Sequence, residues 1–344
     1  MKITSKWGEE MKALVIEEPG KAVVKEVPYP IPGNGEVTIQ VKQVGICGTD
    51  IHIFKGEFLS PYPIIPGHEF SGVIHEKGED VPDFELGDRV AVDPSLFCGK
   101  CTYCMTNRGN HCENWGALGN TLDGSMAEYV KVPYENLVRI PDDMTFEEGA
   151  FIEPLACVVY AMHRLQIKAG DQVLLFGAGA MGQQLIQSIK AVGASQLVVV
   201  DISEKKLLLA KEWGATHIYT SEQLEKIHEL QPRGFDIVID ATGIPTVVEQ
   251  AMTFIGPVGK YLQFGVTPTD SKISINPFDI YHKDWTILGS MAINRTFIPA
   301  FYWLKEKRID VMPLLSKTIS LEETVNFFQE SRESNLLKVQ VKIS

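Results

Sequence analysis

The sequence has no apolar run that approaches the roughly 18 residues of a membrane-spanning helix. Its opening residues, MKITSKWGEEMKALVIEEPG, contain no apolar core of secretory type. These absences point to a cytoplasmic chain with no membrane partner. A basic cluster is also missing: 32 Lys and Arg stand against 44 Asp and Glu, a formal charge of −12. Nucleic acid and anionic lipid both need a basic face, so neither is expected as a partner. There is no internal repeat and no low-complexity segment. Cysteines number only six, and in a reducing compartment they are not expected to form a disulfide framework.

What is present is distributed unevenly. At 344 residues and 44% hydrophobic content, the chain is long enough for two domains of roughly 150 residues, each with its own core. Residues 11–45 alternate polar and apolar in the manner of strands (ALVIEE, AVVKEV, EVTIQVKQVG), cut apart by proline and glycine. Met11 is a natural strand start, which leaves residues 1–10 as an N-terminal extension. From Asp171 the texture changes to apolar strands alternating with amphipathic helices, the pattern of a parallel sheet. The last fifty residues read as two helices, IPAFYWLKEKRI and LEETVNFFQES, and a final strand, LLKVQVKIS.

Four of the cysteines lie close together: Cys98, Cys101, Cys104 and Cys112, within CGKCTYCMTNRGNHC. Thiolates two residues apart can converge on one ion from a turn, and a fourth closes the tetrahedron, which describes a structural zinc site. An iron–sulfur cluster is the other metal centre that four cysteines suit, but the spacing lacks a ferredoxin-type context. Farther on, VLLFGAGAMG sets Gly177, Gly179 and Gly182 directly after a strand and before a helix, with Ala180 and Met181 between the last two glycines. This is the context that gives a GxGxxG loop meaning. Tight turning, backbone approach to a pyrophosphate and helix–strand packing need the three glycines in turn, and the helix N-terminus faces the phosphates. The next strand ends in Asp201, an acidic residue placed to bond the adenosine ribose and to repel a 2′-phosphate, which favours NAD over NADP. Of the lysines that follow, Lys206 is the candidate to bracket that ribose and Lys205 a solvated helix charge.

Three further segments hold metal-binding residue types: GICGTDIHIFKG with Cys47, Thr49, Asp50 and His52; GHEF with His68 and Glu69; and FIEPLACVVYA with Glu153. Taken singly, Cys47 reads equally as a buried thiol, His68 as a hydrogen-bonded core histidine, and Glu153 as a first-turn helix carboxylate. Taken in order with the cysteine lobe and the glycine loop, the motifs resemble the zinc-dependent medium-chain dehydrogenases from Met11 to the C-terminus. GHE with EPL resembles the polyol branch of sorbitol, arabinitol and xylitol type and its neighbour threonine dehydrogenase. Classical alcohol dehydrogenases have cysteine where Glu153 stands.

The resemblance implies an α/β fold, with a GroES-like β-rich catalytic domain over 11–157, to which 297–344 returns, and a Rossmann domain of doubly wound parallel sheet over 158–296. It implies a catalytic zinc on Cys47, His68 and Glu69, with Glu153 either a ligand or a partner of the metal's water, and a second, structural zinc on the cysteine lobe. Zinc would act as a Lewis acid on the alcohol, and NAD would accept hydride. Thr49 would take the hydroxyl proton and pass it through the cofactor ribose to His52, while Asp50 would support a ligand. The expected reaction is oxidation of a secondary alcohol, most simply a sugar alcohol, by a homo-oligomer, dimer or tetramer. Sorbitol-type enzymes place an arginine–tyrosine pair on the polyol; here Ala292 and Ile293 fall at those positions, which points away from sorbitol itself. Threonine or butanediol dehydrogenase, and a non-catalytic zinc-stabilised protein on the same scaffold, are the alternatives.

Overall fold

The computed structural model describes residues 8–330 and 335–344. Residues 1–7, most of the expected extension, lie outside the described residues; the first strand, Glu10–Glu18, begins at the extension's last residue. The chain divides into two compact units. One runs to Pro154 and takes in Ile293–Glu306 and Asp310–Ser344; the other is Leu155–Ala292 with Lys307–Ile309.

The first unit is built around one strand. The alternating run EVTIQVKQVG forms Glu36–Gly45, whose apolar residues Val37, Ile39, Val41 and Val44 are all buried. Strand Glu69–Lys77 lies antiparallel along one side, and strands Lys338–Lys342 and Tyr129–Pro133 pair with it as well. Arg89–Val92 and Leu137–Arg139 extend the sheet one way, and Leu315–Ser320 extends it the other. Two registers fix the chemistry to come: Gly45 lies opposite Glu69 in one ladder and opposite Gln340 in the other. The C-terminal strand and the GHE segment are thereby brought to the same end of the central strand. Phe70, Ile74, Val90, Val339 and Val341 complete the core over this sheet.

The second unit is a single parallel sheet of six strands. In space they run His217–Thr220, Gln196–Asp201, Gln172–Phe176, Phe235–Asp240, Ile255–Gln263, Thr286–Gly289. Numbered along the chain this is the order 3-2-1-4-5-6 of a doubly wound dinucleotide-binding fold. The strand interiors are buried, Val173–Phe176, Leu197–Val200 and Ile237–Ile239 among them, as expected when helices cover both faces. The order reverses between Gln172–Phe176 and Phe235–Asp240, and ligands of such sheets bind beyond the carboxyl ends of the strands at that point. The glycine loop leaves the first of these strands and enters the helix Ala180–Val192. Gly177 has φ +99°, and a side chain on Gly182 would overlap the Gly177 carbonyl oxygen. Replacing Gly182 by valine should therefore destabilise this unit by about 1–3 kcal/mol, the range of overpacked cores. Urea denaturation measures it; an unchanged midpoint would show that the helix can slide away from its strand.

Candidate active site

The strand Glu36–Gly45 ends just before Cys47, and the helix Gly48–Lys55 starts just after it. Asp50, in that helix's first turn, turns its carboxylate back. Its Oδ2 accepts the Cys47 amide hydrogen at 2.8 Å, and its Oδ1 accepts the amide hydrogen of Gly67 at 3.1 Å. One buried anion thus ties the Cys47 turn to the segment that delivers His68 and Glu69. The same Oδ1 lies 3.5 Å from His68 Nδ1, which orients the ring. Gly67 has φ +96°, with Met126 and Ser125 filling the space a side chain would need; only glycine suits both constraints.

Ligand atoms of Cys47, His68 and Glu69 lie within 4.8 Å of one another. Asp50, His68, Glu69 and Glu153 are all buried. Burial works to lower the His68 imidazole, but Asp50 and Cys47 outweigh it and hold it well above its ordinary value. Glu153, in the first turn of the helix Ile152–Leu165, is pushed up to about 7 by burial; the charge of His68 opposes the shift and that of Glu69 adds to it. The nearest cation is Lys338. Its ammonium pairs with Glu69 Oε2, and both side chains are almost completely enclosed. Burial opposes the lysine's charge, yet Glu69 and the neighbouring Cys47 keep it raised above the ordinary value. Lys338 thus faces Glu69, Glu153 and Cys47, while Asp50 lies beside His68. One soft thiolate, one imidazole and one carboxylate make a donor set fit for zinc with a position left open.

Around the cluster, Thr49 Oγ1 lies 3.7 Å from Cys47 Sγ. His52, one helical turn on, is half-exposed, with Nδ1 2.7 Å from Glu57 Oε2.

The cysteine lobe converges as well. The four sulfurs lie within 4.8 Å of one another, Cys98 to Cys104 at 4.0 Å and Cys101 to Cys112 at 3.9 Å. Four sulfurs around zinc at its usual bond length are about 3.8 Å apart. No disulfide forms among them. Backbone amides of Cys98 and Asn114 donate to Cys112 Sγ, both at 3.3 Å. The Lys100 and Cys101 amides pull the Cys98 thiol down to about 6, whereas burial pushes Cys104 up to about 12.

In the second unit the glycine loop leaves room for a ligand. A side chain on Gly179 would meet nothing within 4 Å, although Gly177 and Gly182 on either side are tightly packed. Gly179 is the N-cap of its helix without a side-chain cap, so the first helical N–H groups, at Ala180 and Met181, are the kind that hold phosphate. Asp201 supports the loop directly: Oδ2 accepts from the Ala178 amide at 2.7 Å and Oδ1 from Ser203 at 2.8 Å. Lys206 is half-buried, with its carbonyl turned to Gln183.

Three residues of consequence have no motif of their own. Lys338 is one of two lysines in the last strand, Lys338–Lys342, and only the register places it at Glu69. Gln183 follows the third glycine, where its amide bonds two carbonyls. Asp240 ends the fourth strand of the parallel sheet as Asp201 ends the second. Fully buried, it accepts from Thr242 N and Oγ1, Gly243 N and Gln263 Nε2. An acidic residue closing an apolar strand was the available signal for it.

Two family models match the chain: the alcohol dehydrogenase GroES-like domain over residues 33–142, and the zinc-binding dehydrogenase domain over 180–306. D-arabinitol dehydrogenase 1 of Uromyces fabae is 31% identical over 340 residues, covering 97% of each chain. D-altritol 5-dehydrogenase of Agrobacterium fabrum is 36% identical over 338 residues, covering 96% of this chain and 99% of that one. Among solved structures, one described as a putative zinc-binding dehydrogenase of Sinorhizobium meliloti 1021, bound to NADP, superposes with a TM-score of 0.94. It is 34% identical and covers 97% of this chain and 99% of its own. The β-rich first unit is accordingly GroES-like and the parallel sheet is a Rossmann fold.

Removing Lys338 tests the charge balance. Lys338→Met should destabilise the metal-free protein by about 3–5 kcal/mol, because it strands the Glu69 carboxylate without a partner. Saturating zinc should restore part of that. Chemical denaturation in chelator and in excess zinc separates the two terms, and wild-type stability in chelator would refute the pairing.

Proposed function

This chain belongs to the zinc-binding alcohol dehydrogenase family, and from that premise we propose that it oxidises a secondary alcohol of a sugar alcohol to the ketone, with NAD as the acceptor. The observation that carries the reading is the convergence of the ligand atoms of half-buried Cys47 and buried His68 and Glu69 within 4.8 Å of one another. These three would hold the catalytic zinc, with Glu153 beside them, and Cys98, Cys101, Cys104 and Cys112 would hold a structural zinc, two ions per chain. When bound, the catalytic ion supplies Lewis acidity to the substrate oxygen.

The chain's own groups do the rest. Asp50 keeps the Cys47 turn and the His68 ring in place through its three contacts. Thr49 Oγ1, beside Cys47, is the hydroxyl that receives the alcohol proton, since it can accept one and donate another. His52, held by Glu57, is the group that hands the proton to solvent. The pyrophosphate of NAD would lie against Gly179, Ala180 and Met181 between the packed Gly177 and Gly182, with Asp201 and Lys206 at the ribose. Asp201 supports NAD: its negative charge opposes a 2′-phosphate, although the Sinorhizobium protein was solved with NADP.

Two features support a polyol. The relatives named for D-arabinitol and D-altritol align over nearly the whole chain, and Glu153 stands where simple alcohol dehydrogenases have cysteine. Ala292 and Ile293 stand where sorbitol-type enzymes place an arginine–tyrosine pair, and Ile293 is 1% exposed, which supports a polyol other than sorbitol. The domain assignment follows the two units, catalytic for the first and NAD-binding for the second. A homo-oligomer, dimer or tetramer, is supported by Phe278, Tyr281, Ile287 and Met291, exposed apolar residues in and near the edge strand Thr286–Gly289. Among the described residues no helix is long and apolar enough to cross a membrane, and the cytoplasm is the proposed location.

Metal analysis should give two zinc ions per chain, falling to one in Cys47→Ala together with a loss of activity of about a thousandfold or more. Turnover should favour pentitols and other polyols over butanediol and threonine, and NAD over NADP. One zinc per chain with Cys47→Ala fully active would leave only a structural metal and sink the mechanism. Preference for butanediol or threonine would reassign the substrate.

A further inference from the structure

The helix that follows the glycine loop begins with two glutamines. Gln183 is completely buried, directly after the glycine whose hydrogen must touch the Gly177 carbonyl. An apolar side chain would be the ordinary choice there. A buried amide is favoured only where its hydrogen bonds outweigh its desolvation. Gln183 Nε2 has two carbonyl acceptors, Ala178 at 3.0 Å and Lys206 at 2.8 Å. Its Oε1 is buried with no hydrogen-bond partner, a cost that methionine or leucine would not incur. The rotated amide would set oxygen against two carbonyl oxygens, so the orientation of the group is fixed by its neighbours.

The two carbonyls belong to different parts of the dinucleotide site. Ala178 lies between the first two glycines, and its N–H is held by Asp201 Oδ2 at 2.7 Å. Its carbonyl is held by Gln183, so both polar atoms of this loop residue are fixed, one from each side. Lys206 lies in the helix Glu204–Glu212 that follows Asp201. Asp201, Ala178, Gln183 and Lys206 form one chain of hydrogen bonds from the ribose-side carboxylate, through the phosphate loop, back to the ribose-side helix.

We propose that Gln183 is a positioning residue for the dinucleotide, setting the distance between the phosphate loop and the ribose-selecting helix, and with it the discrimination between NAD and NADP. The inference rests on the reading of this loop as the NAD site. It assigns Gln183 no contact with the cofactor. Gln183 acts through the Ala178 peptide, which carries the loop, and through the Lys206 carbonyl, which fixes the helix beside Asp201. When the tie is removed, the helix that carries Lys206 loses its link to the loop, and the Ala178 peptide that anchors Asp201 is held from one side only. Affinity for NADH falls, and a 2′-phosphate is rejected less sharply because the peptide on which the Asp201 carboxylate rests is itself less firmly fixed.

Two variants of nearly the same shape test this. Gln183→Met keeps the volume and removes the donor; Gln183→Glu sets a carboxylate against both carbonyls. Dissociation constants for NADH and NADPH are read from nicotinamide fluorescence on the zinc-loaded protein, with thermal midpoints of the cofactor-free protein and kcat at saturating NAD measured alongside. NADH binding should weaken about tenfold in Gln183→Met and further in Gln183→Glu, as for buried hydrogen bonds lost without replacement. The NADPH-to-NADH ratio of dissociation constants should shrink in both, while kcat at saturation changes little. A lowered thermal midpoint with that ratio unchanged would make Gln183 a packing residue and overturn the proposal. Wild-type affinities in both variants would overturn it too, while leaving the NAD site intact. A wild-type protein that binds neither NADH nor NADPH would remove the NAD reading itself, and the proposal with it.

Discussion

The buried carboxylate of Asp50 is the fastening on which the metal-ligand cluster depends. Cys47 follows one strand and His68 precedes another, and the strand ladder alone would align them only through Gly45 and Glu69. Asp50 adds charge-assisted hydrogen bonds to the Cys47 and Gly67 amides, and bonds of this kind are roughly twice as strong as neutral ones. Its position in the first turn of a helix is also electrostatically favoured, since the helix N-terminus carries partial positive charge. The neighbouring Gly67 must turn with positive φ against Met126 and Ser125, so the approach of the His68 strand admits little variation. A ligand set assembled in this way is preorganised: its geometry is fixed by backbone bonds that do not depend on an ion.

Preorganisation concentrates negative charge, and the protein offsets part of it with Lys338. The lysine comes from the last strand, far away in sequence, and reaches Glu69 because both flank the end of the strand Glu36–Gly45. Gly45 is the residue between them, and a methyl there would overlap Glu69 Oε2 and press on Lys338 Cε. The pairing therefore constrains three strands at once. A buried ion pair is weak evidence of stability, because desolvation can cancel its attraction. Its clearer role here is to set an ammonium against Glu69 beside Glu153, whose own acid is pushed up to about 7 by burial.

Much of this was legible in the sequence, and the reason is locality. The glycine loop announces a strand-to-helix junction because each glycine answers a steric need within six residues. The switch from alternating to helical apolar period marks where the β-rich unit gives way to the parallel sheet. GICGTD, GHEF and the cysteine lobe offer their candidate ligands because such residue types cluster at short spacing, and the structure brings Cys47, His68 and Glu69 together as it does the four cysteines. Lys338 was not legible, since nothing in KVQVK distinguishes the lysine that faces inward from the one that does not; that depends on register with a strand from the other end of the chain. The Gln183 contact was hidden for a related reason. A glutamine in a helix usually faces water, and its burial follows from the close approach of helix to strand that Gly182 permits.

Both units rely on the same local device. Asp50 accepts from Cys47 and Gly67, Asp201 from Ala178 and Ser203, and Asp240 from Thr242 and Gly243. Each is an acidic residue at the junction of an element with a functional loop, and each satisfies two backbone N–H groups that the loop would otherwise leave unpaired. Loops at such junctions cannot use strand or helix ladders for their amides, and burial denies them water. A carboxylate answers both needs, because it accepts several hydrogen bonds and leaves the side chains of the loop free. That freedom lets Cys47 and His68 converge and leaves the Gly179 backbone open. The same acids that make the loops rigid also set the sign of the field around them. The cluster that could hold a divalent cation and the loop proposed for the dinucleotide then rest on a single structural habit.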